Sequence, residues 1–291
     1  MTSVLITGGS SPLGERILHL LDGELHLTCL ARTPDAARRI TDVRPEARTV
    51  TGDLTDPGWT EYVAGADVIL HVAGVAFAEQ LLGADLSGRR VVVVSSASVA
   101  NPHHPLATTV HANEERIAEA AGDAVVLRPT MIYGSPRDRN LRRLAGLVDR
   151  MPRVPNITGG GQIQPVHCDD IAGLAARAAH GEIPPGTHWA GGADAVTIGE
   201  LIQLIADGLG KARLGVRVPV DPAAKLVARF DLGTRNKALH ALEMLTTDRR
   251  VDPIDEGLLG RPPLPLVEGV PRALEAYGMI DSHQTPGVAE P

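Results

Sequence analysis

The sequence predicts an α/β chain: a doubly wound parallel sheet with a small α/β lobe toward the C-terminus. Three observations predict it. The first half alternates short apolar runs with helical patterns. Those runs lack polar alternation, which marks strands buried on both faces by covering helices. A glycine-rich turn, Gly8-Gly9-Ser10-Ser11, joins the first run to the first helix.

Val4 to Thr7 reads as the first strand. Pro12 to Leu21 follows with Leu13, Ile17, Leu18, Leu20 and Leu21 at roughly helical spacing. His26 to Leu30 is a second strand, and Pro34 to Ile40 a helix with proline in its first turn. Val50 ends a third strand; Asp67 to Val72 and Val91 to Ser95 are the fourth and fifth. Asn113 to Ala121 is a helix and Ala124 to Leu127 a sixth strand. After Gly134 the pattern changes. Asn140 to Met151 is helical up to Pro152, and a glycine-rich, proline-bounded stretch runs from Pro155 to Pro165. Asp169 to Ala179 is a helix opened by an acidic pair that reads as its cap. Thr187 to Ala190 is a strand, and Thr197 to Leu209 a helix with Thr197 and Glu200 at capping-box spacing. Pro219 to Gly278 reads as helical with many prolines, and the polar end after Asp281 as a fraying tail.

Aromatic residues make up 2% of the 291, so Ala, Val, Leu and Ile must build the core. The formal charge is −7 and the basic residues are spread out, which argues against a nucleic-acid surface. Cys29 and Cys168 lie far apart. They give neither a disulfide framework nor metal-ligand spacing, so no metal is expected and a reducing cytoplasm is the simpler compartment. No leader and no membrane-length apolar run are apparent, and a soluble cytoplasmic protein is expected.

The turn from Thr7 to Gly14 sits between a strand and a helix. Glycines there permit a tight turn and close backbone approach, and the helix N-terminus offers free N–H groups to a pyrophosphate. Thr7-Gly8-Gly9-Ser10-Ser11-Pro12-Leu13-Gly14 resembles the TGxxGxxG fingerprint of the extended and atypical short-chain dehydrogenase/reductases, the NAD(P)-dependent epimerase/dehydratase group. Ser11 stands at the middle glycine. Gly52-Asp53-Leu54-Thr55-Asp56 resembles that family's third-strand segment, which implies that Asp53 bonds the adenine amino group beside Leu54. His71-Val72-Ala73-Gly74 resembles its fourth-strand segment, which implies that Val72, Ala73 and Gly74 lie along the adenosine. Leu127-Arg128-Pro129-Thr130-Met131-Ile132-Tyr133-Gly134 is similar to the sixth-strand segment, whose backbone passes the nicotinamide and so brings Pro129 and Met131 to it. Gln164-Pro165-Val166-His167-Cys168-Asp169-Asp170 also has a counterpart. The resemblance spans residues 4–170. It implies a Rossmann-type dinucleotide domain over 1–134 with parts of 160–195, a substrate lobe over 135–280 and a tail at 281–291. Pairing of two copies, common in the family, is an expectation.

The second strand ends in Leu30-Ala31-Arg32-Thr33. An NAD site usually carries Asp or Glu there for the ribose 2′-OH, whereas an arginine suits a 2′-phosphate. Arg32 thus favours NADP(H) over NAD(H).

In the resembled family a Ser or Thr after the fifth strand polarises the substrate carbonyl. A YxxxK pair then moves the proton and holds the nicotinamide ribose. Ser96 matches the hydroxyl position and Ser95 the cofactor side, though both read equally as strand-end caps. The YxxxK pair is absent: Ala107 and His111 occupy those positions when Glu115-Arg116 is aligned with the acidic helix segment. His111 is a candidate acid or base, and equally an exposed helix-start residue. Tyr133 is the nearest remaining phenol, at a position that mostly packs beneath the substrate site. His103 and His104 fall near the expected substrate mouth. These residues imply an atypical NADP(H)-dependent oxidoreductase or epimerase for a small carbonyl, hydroxyl or sugar-like substrate. A redox-silent NADP(H) sensor and a non-redox isomerase or cyclase stay open.

Overall fold

The computed structural model describes residues 2–21, 23–100, 106–219 and 250–281. It divides into two units. The first comprises Met1–Thr130, Cys168–Ala190 and Ile254–Pro262; the second comprises Met131–His167, Gly191–Pro253 and Pro263–Pro291. His103 and His104 lie outside the described residues.

The first unit is a seven-stranded sheet in the order β11-β6-β5-β4-β1-β2-β3. The strands are β1 (Thr2–Thr7), β2 (Leu25–Ala31), β3 (Arg48–Thr51), β4 (Val68–His71), β5 (Arg90–Val94), β6 (Asp123–Pro129) and β11 (Gly186–Ala190). Every pairing between them is parallel. Valines 91 to 93, Val125, Leu127, Ile6 and Ile69 are essentially inaccessible, as strands covered on both faces require. Helices α1 (Pro12–Leu20), α2 (Pro34–Val43), α3 (Ala107–Ala121) and α5 (Cys168–Ala179) belong to this unit. Each of α1 and α2 opens with a side-chain cap, Ser11 and Thr33, followed by proline in the first turn. Five alanines on α5 are buried, and a covering helix rich in small side chains packs close to its neighbours.

Helix α3 begins at Ala107, six residues before the expected start at Asn113. Thr108, Thr109 and Val110 are weak helix formers, and they hide the first turn and a half from a reading of periodicity. Asp169 and Asp170 are bound to arginines rather than acting as simple caps. Arg16 grips Asp169 with two bonds, Nε–Oδ1 2.5 Å and Nη2–Oδ2 3.0 Å. The fully buried Asp170 pairs with Arg261 at 2.6 Å.

The second unit holds α4 (Leu141–Asp149), α6 (Ile198–Gly208) and α8 (Leu266–Ala276); α7 (Glu256–Leu259) belongs to the first. Leu141, Val148, Leu201, Ile205, Val270 and Leu274 form its core. Thr197 and Glu200 make the expected capping box at the head of α6. The stretch from Pro155 to Pro165 is not all loop. β8 (Val154–Thr158) pairs with β13 (Arg213–Pro219), and β9 (Gln162–Ile163) with β12 (Val196–Thr197). The boundary at Thr130 falls earlier than Gly134, because β7 (Ile132–Tyr133) pairs with β10 (Val166–His167) inside the second unit. Of the expected helical region from Pro219 to Gly278, residues 220–249 are outside the described set; the rest holds α7 and α8. No helix among the described residues is long and apolar enough to cross a membrane.

Candidate functional site

The chain leaves β1 at Thr7 and enters α1 at Pro12, and glycine is required at one point in the turn between them and at one in the first turn of α1. Gly8 has φ +78°, and a Cβ there would stand 2.4 Å from the backbone nitrogen of Ala73. A Cβ on Gly14 would stand 2.2 Å from the carbonyl oxygen of Gly8. The first clash sets how closely the turn approaches the segment after β4; the second sets how closely α1 approaches the turn. Ser11, where the resembled fingerprint has its middle glycine, needs no unusual backbone: φ is −73° and ψ 159°. Its hydroxyl accepts from the Gly14 N–H at 3.0 Å and caps α1. The hydroxyl proton stays available for a ligand. Pro12 brings no N–H, so Leu13 supplies the first-turn amide without an intrahelical acceptor.

This turn walls an open cavity of ≈ 210 Å³. Thr7, Gly8, Ser10 and Ser11 line one side, Arg32 and Asp53 the rim, and Leu54 and Ala73 the remainder of the expected set. Leu30, Gly52 and Phe77 also line it and were not foreseen. Gly52 had a signal, since it precedes Asp53 in a recognised segment; Phe77 had none, because it reaches the cavity from a 3₁₀ turn (Val75–Gly83) without a motif. Pro12, Leu13 and Gly14 form the helix turn behind the wall, and Val72 is buried within it.

Beneath the wall lies His71, which is fully buried. Its Nδ1 is 2.8 Å from Thr7 Oγ1 and its Nε2 is 3.2 Å from the Gly74 carbonyl. The carbonyl can only accept, so Nε2 carries the proton and Nδ1 accepts from Thr7. Burial pulls His71 down to about 4, and the bond to Gly74 opposes that shift. The imidazole is therefore neutral and ties the glycine turn to the residues after β4.

At the rim, Arg32 stands 3.9 Å from the Asp53 carboxylate, and its side chain is 68% exposed. Asp53 accepts from the Thr55 N–H at 3.0 Å and from the Thr55 hydroxyl at 2.9 Å. Those two bonds hold its carboxyl below the usual range, with a smaller contribution from Arg32. The residue expected to meet the adenine amino group thus also faces the arginine.

The candidate chemical residues separate. Ser96 is half-buried at the end of β5. Its Oγ accepts from the Ser98 N–H at 3.2 Å and lies 2.9 Å from the Ser98 hydroxyl, so it does cap the short turn that follows. Ser95 does not line the cavity; its buried hydroxyl donates to Glu114. Glu114 in turn accepts from Arg128, whose guanidinium sits 4.9 Å from the Trp189 ring centroid. The acidic residue of α3 that folds inward is therefore Glu114, not Glu115. Glu115 is exposed and pairs at 3.4 Å with His111, itself 51% exposed on the surface of α3. That exposure is what the helix-surface reading of His111 describes, and His111 does not line the cavity at the glycine turn.

Tyr133 is 1% exposed in the core of the second unit, edge-on to His167 at 5.2 Å. A Cβ on Gly269 would come within 2.0 Å of its hydroxyl oxygen, so α8 packs directly on the phenol. Burial under a helix removes Tyr133 as a proton donor to a substrate. Pro129 ends β6, and Met131 packs against the second unit's core; neither lines the cavity. No lysine precedes Lys211, and no tyrosine stands between Tyr62 and Tyr133.

No family model matches this sequence, and no curated protein matches it. Solved structures do. The terminal R domain of the myxalamid PKS-NRPS pathway superposes with a TM-score of 0.73, with 17% identity over 97% of this chain and 92% of that one. A UDP-glucuronic acid 4-epimerase variant from Bacillus cereus, in complex with a UDP-sugar and NAD, gives 0.70 and 14% over 95% and 99%. An NADPH-dependent quinone oxidoreductase from Escherichia coli gives 0.68 and 18% over 92% and 98%. These solved structures share the fold of this chain, a parallel α/β sheet of Rossmann type flanked by helices. The chain carries the glycine turn with its cavity, and α3 contains neither tyrosine nor lysine.

Proposed function

We propose that the chain is an atypical NADP(H)-dependent oxidoreductase or epimerase acting on a small carbonyl- or hydroxyl-bearing, sugar-like substrate. The cavity between the Gly8 turn and Arg32 carries this reading. It has a backbone cradle that a Cβ would fill, an apolar wall for a base, and a cation where NAD sites place a carboxylate. The dinucleotide would supply the hydride. Thr7, Ser10 and Ser11 would meet the pyrophosphate, and Leu30, Leu54 and Phe77 would cover the adenine. Arg32 would leave Asp53 for the 2′-phosphate. Ser96, backed by the Ser98 N–H, would direct its hydroxyl to the substrate carbonyl, and water or His111 would deliver the proton that the absent tyrosine would give. The similarity to solved structures that use NAD or NADPH supports a nicotinamide dinucleotide, and Arg32 alone supports the 2′-phosphate form.

The missing phenol and ammonium favour a second reading, a redox-silent NADP(H) sensor. One experiment separates the two. NADPH and NADH are titrated by fluorescence, and the NADPH complex is then offered aldehydes, ketones, quinones and nucleotide sugars. Oxidation that depends on Ser96 supports the enzyme. Tight NADPH binding without turnover supports the sensor, and no binding of either dinucleotide defeats both.

A further inference from the structure

We propose that the outer face of α4 docks an acidic protein surface. Arg137 to Arg153 contains six arginines against two aspartates, a local charge of +4 in a chain of −7. All six arginines are exposed. Leu141, Ala145 and Val148 bury the inner side of α4. At about 100° per residue, Arg143 and Arg150 then share the opposite stripe, in line with Arg139 just before the helix. Leu147 projects beside them, 47% exposed. The two aspartates do not neutralise this stripe. Asp138 accepts from the Tyr277 hydroxyl, and Asp149 pairs with Lys211 at 2.9 Å. Among the described residues, Arg139, Arg143, Arg150 and Arg153 have no acidic partner.

The stripe suits a protein better than other anions. It lies on an exposed helix face, and the cavity at the glycine turn is lined by other residues, so a small anion would find no enclosure. A lipid surface would need an apolar face to insert, yet that face of α4 is turned inward and offers only Leu147. A nucleic acid would meet a helix of nine residues that carries no aromatic or amide side chain to stack on or read a base. Arginine is enriched in protein interfaces, and an acidic partner would supply the carboxylates that this stripe lacks.

The test uses the full chain and three probes: an amphipathic helical peptide with a glutamate face, phosphatidylserine vesicles, and a short DNA duplex. The native protein should bind the peptide, more weakly as salt rises. Arg143→Glu/Arg150→Glu should bind it at least roughly tenfold more weakly, with melting temperature and dinucleotide titration unchanged. Absence of peptide binding, equal binding by the variant, or preference for the vesicles or the duplex overturns the proposal.

Discussion

The hydroxyl of Thr7 and the imidazole of His71, 64 positions apart in sequence, meet at 2.8 Å inside the first unit. That bond joins the two chain segments that wall the cavity, and the close approach of Gly8 to Ala73 depends on both staying in place. His71→Leu removes the acceptor for Thr7 and the donor for Gly74. It should weaken dinucleotide binding about tenfold or more, because each orphaned buried polar group costs about 1–3 kcal/mol. His71→Gln, which can still donate, should recover part of the loss. Equal titrations for native and leucine proteins would contradict the assignment.

The same histidine predicts a pH dependence of stability. Its folded value, about 4, lies below the ordinary 6.5. Above 6.5 the imidazole is neutral in both states and the fold keeps its full stability. As pH falls from 6.5 to about 4 the unfolded chain takes up a proton that the folded chain refuses, and stability drops. The loss amounts to about 3 kcal/mol by pH 4. Urea midpoints measured across that window should fall more for the native protein than for His71→Gln, where the contribution is absent.

The glycine turn gives a sharper expectation. Gly8→Ala places a Cβ against the Ala73 backbone at a positive φ, and Ala73 belongs to a segment that cannot yield without moving the cavity wall. Dinucleotide titration should show at least a tenfold loss. Ser11→Ala should instead cost about 1 kcal/mol of stability through the lost cap, and Ser11→Gly only a few tenths, as read by thermal melting.

Much of this site was legible in sequence because its parts are local. The apolar runs of β1, β4, β5 and β6 and the turn from Thr7 to Gly14 depend on neighbours within a few residues. The rest depends on contacts across the fold. Glu114 and Glu115 are adjacent and chemically alike, and only the position of α3 decides which folds inward to Ser95 and Arg128. Ser95 and Ser96 point to opposite fates for a similar reason, since alternate residues along a strand end face opposite sides. Tyr133 is polar enough to suggest chemistry, yet α8, more than 130 residues later, closes over it.

Cofactor choice rests on Arg32. Arg32→Ala should weaken NADPH binding by roughly tenfold to a hundredfold, since a charge-assisted hydrogen bond is worth about 1.5–3 kcal/mol, and leave NADH nearly unchanged. Parallel titrations of both dinucleotides against both proteins provide the ratio. Equal losses for the two would remove the 2′-phosphate from its place beside Arg32.

The network of Ser95, Glu114 and Arg128 sits next to Ser96, and its energetics decide whether it is a support or a passive remnant. Glu114 and Arg128 are both buried, and a buried pair is costly to desolvate. Removing one partner strands the other: Glu114→Leu and Arg128→Met should each destabilise the first unit by about 3–5 kcal/mol. The double variant Glu114→Leu/Arg128→Met replaces the pair by apolar volume and should recover most of that loss. Urea denaturation of the three variants makes this a double-mutant cycle, and additive losses would mean that the two charges do not interact. Because Ser95 immediately precedes Ser96, the double variant also reports on function. If the network holds the end of β5 in register for Ser96, its turnover should fall while its NADPH affinity, set in the separate cavity at Gly8 and Arg32, stays at the native value.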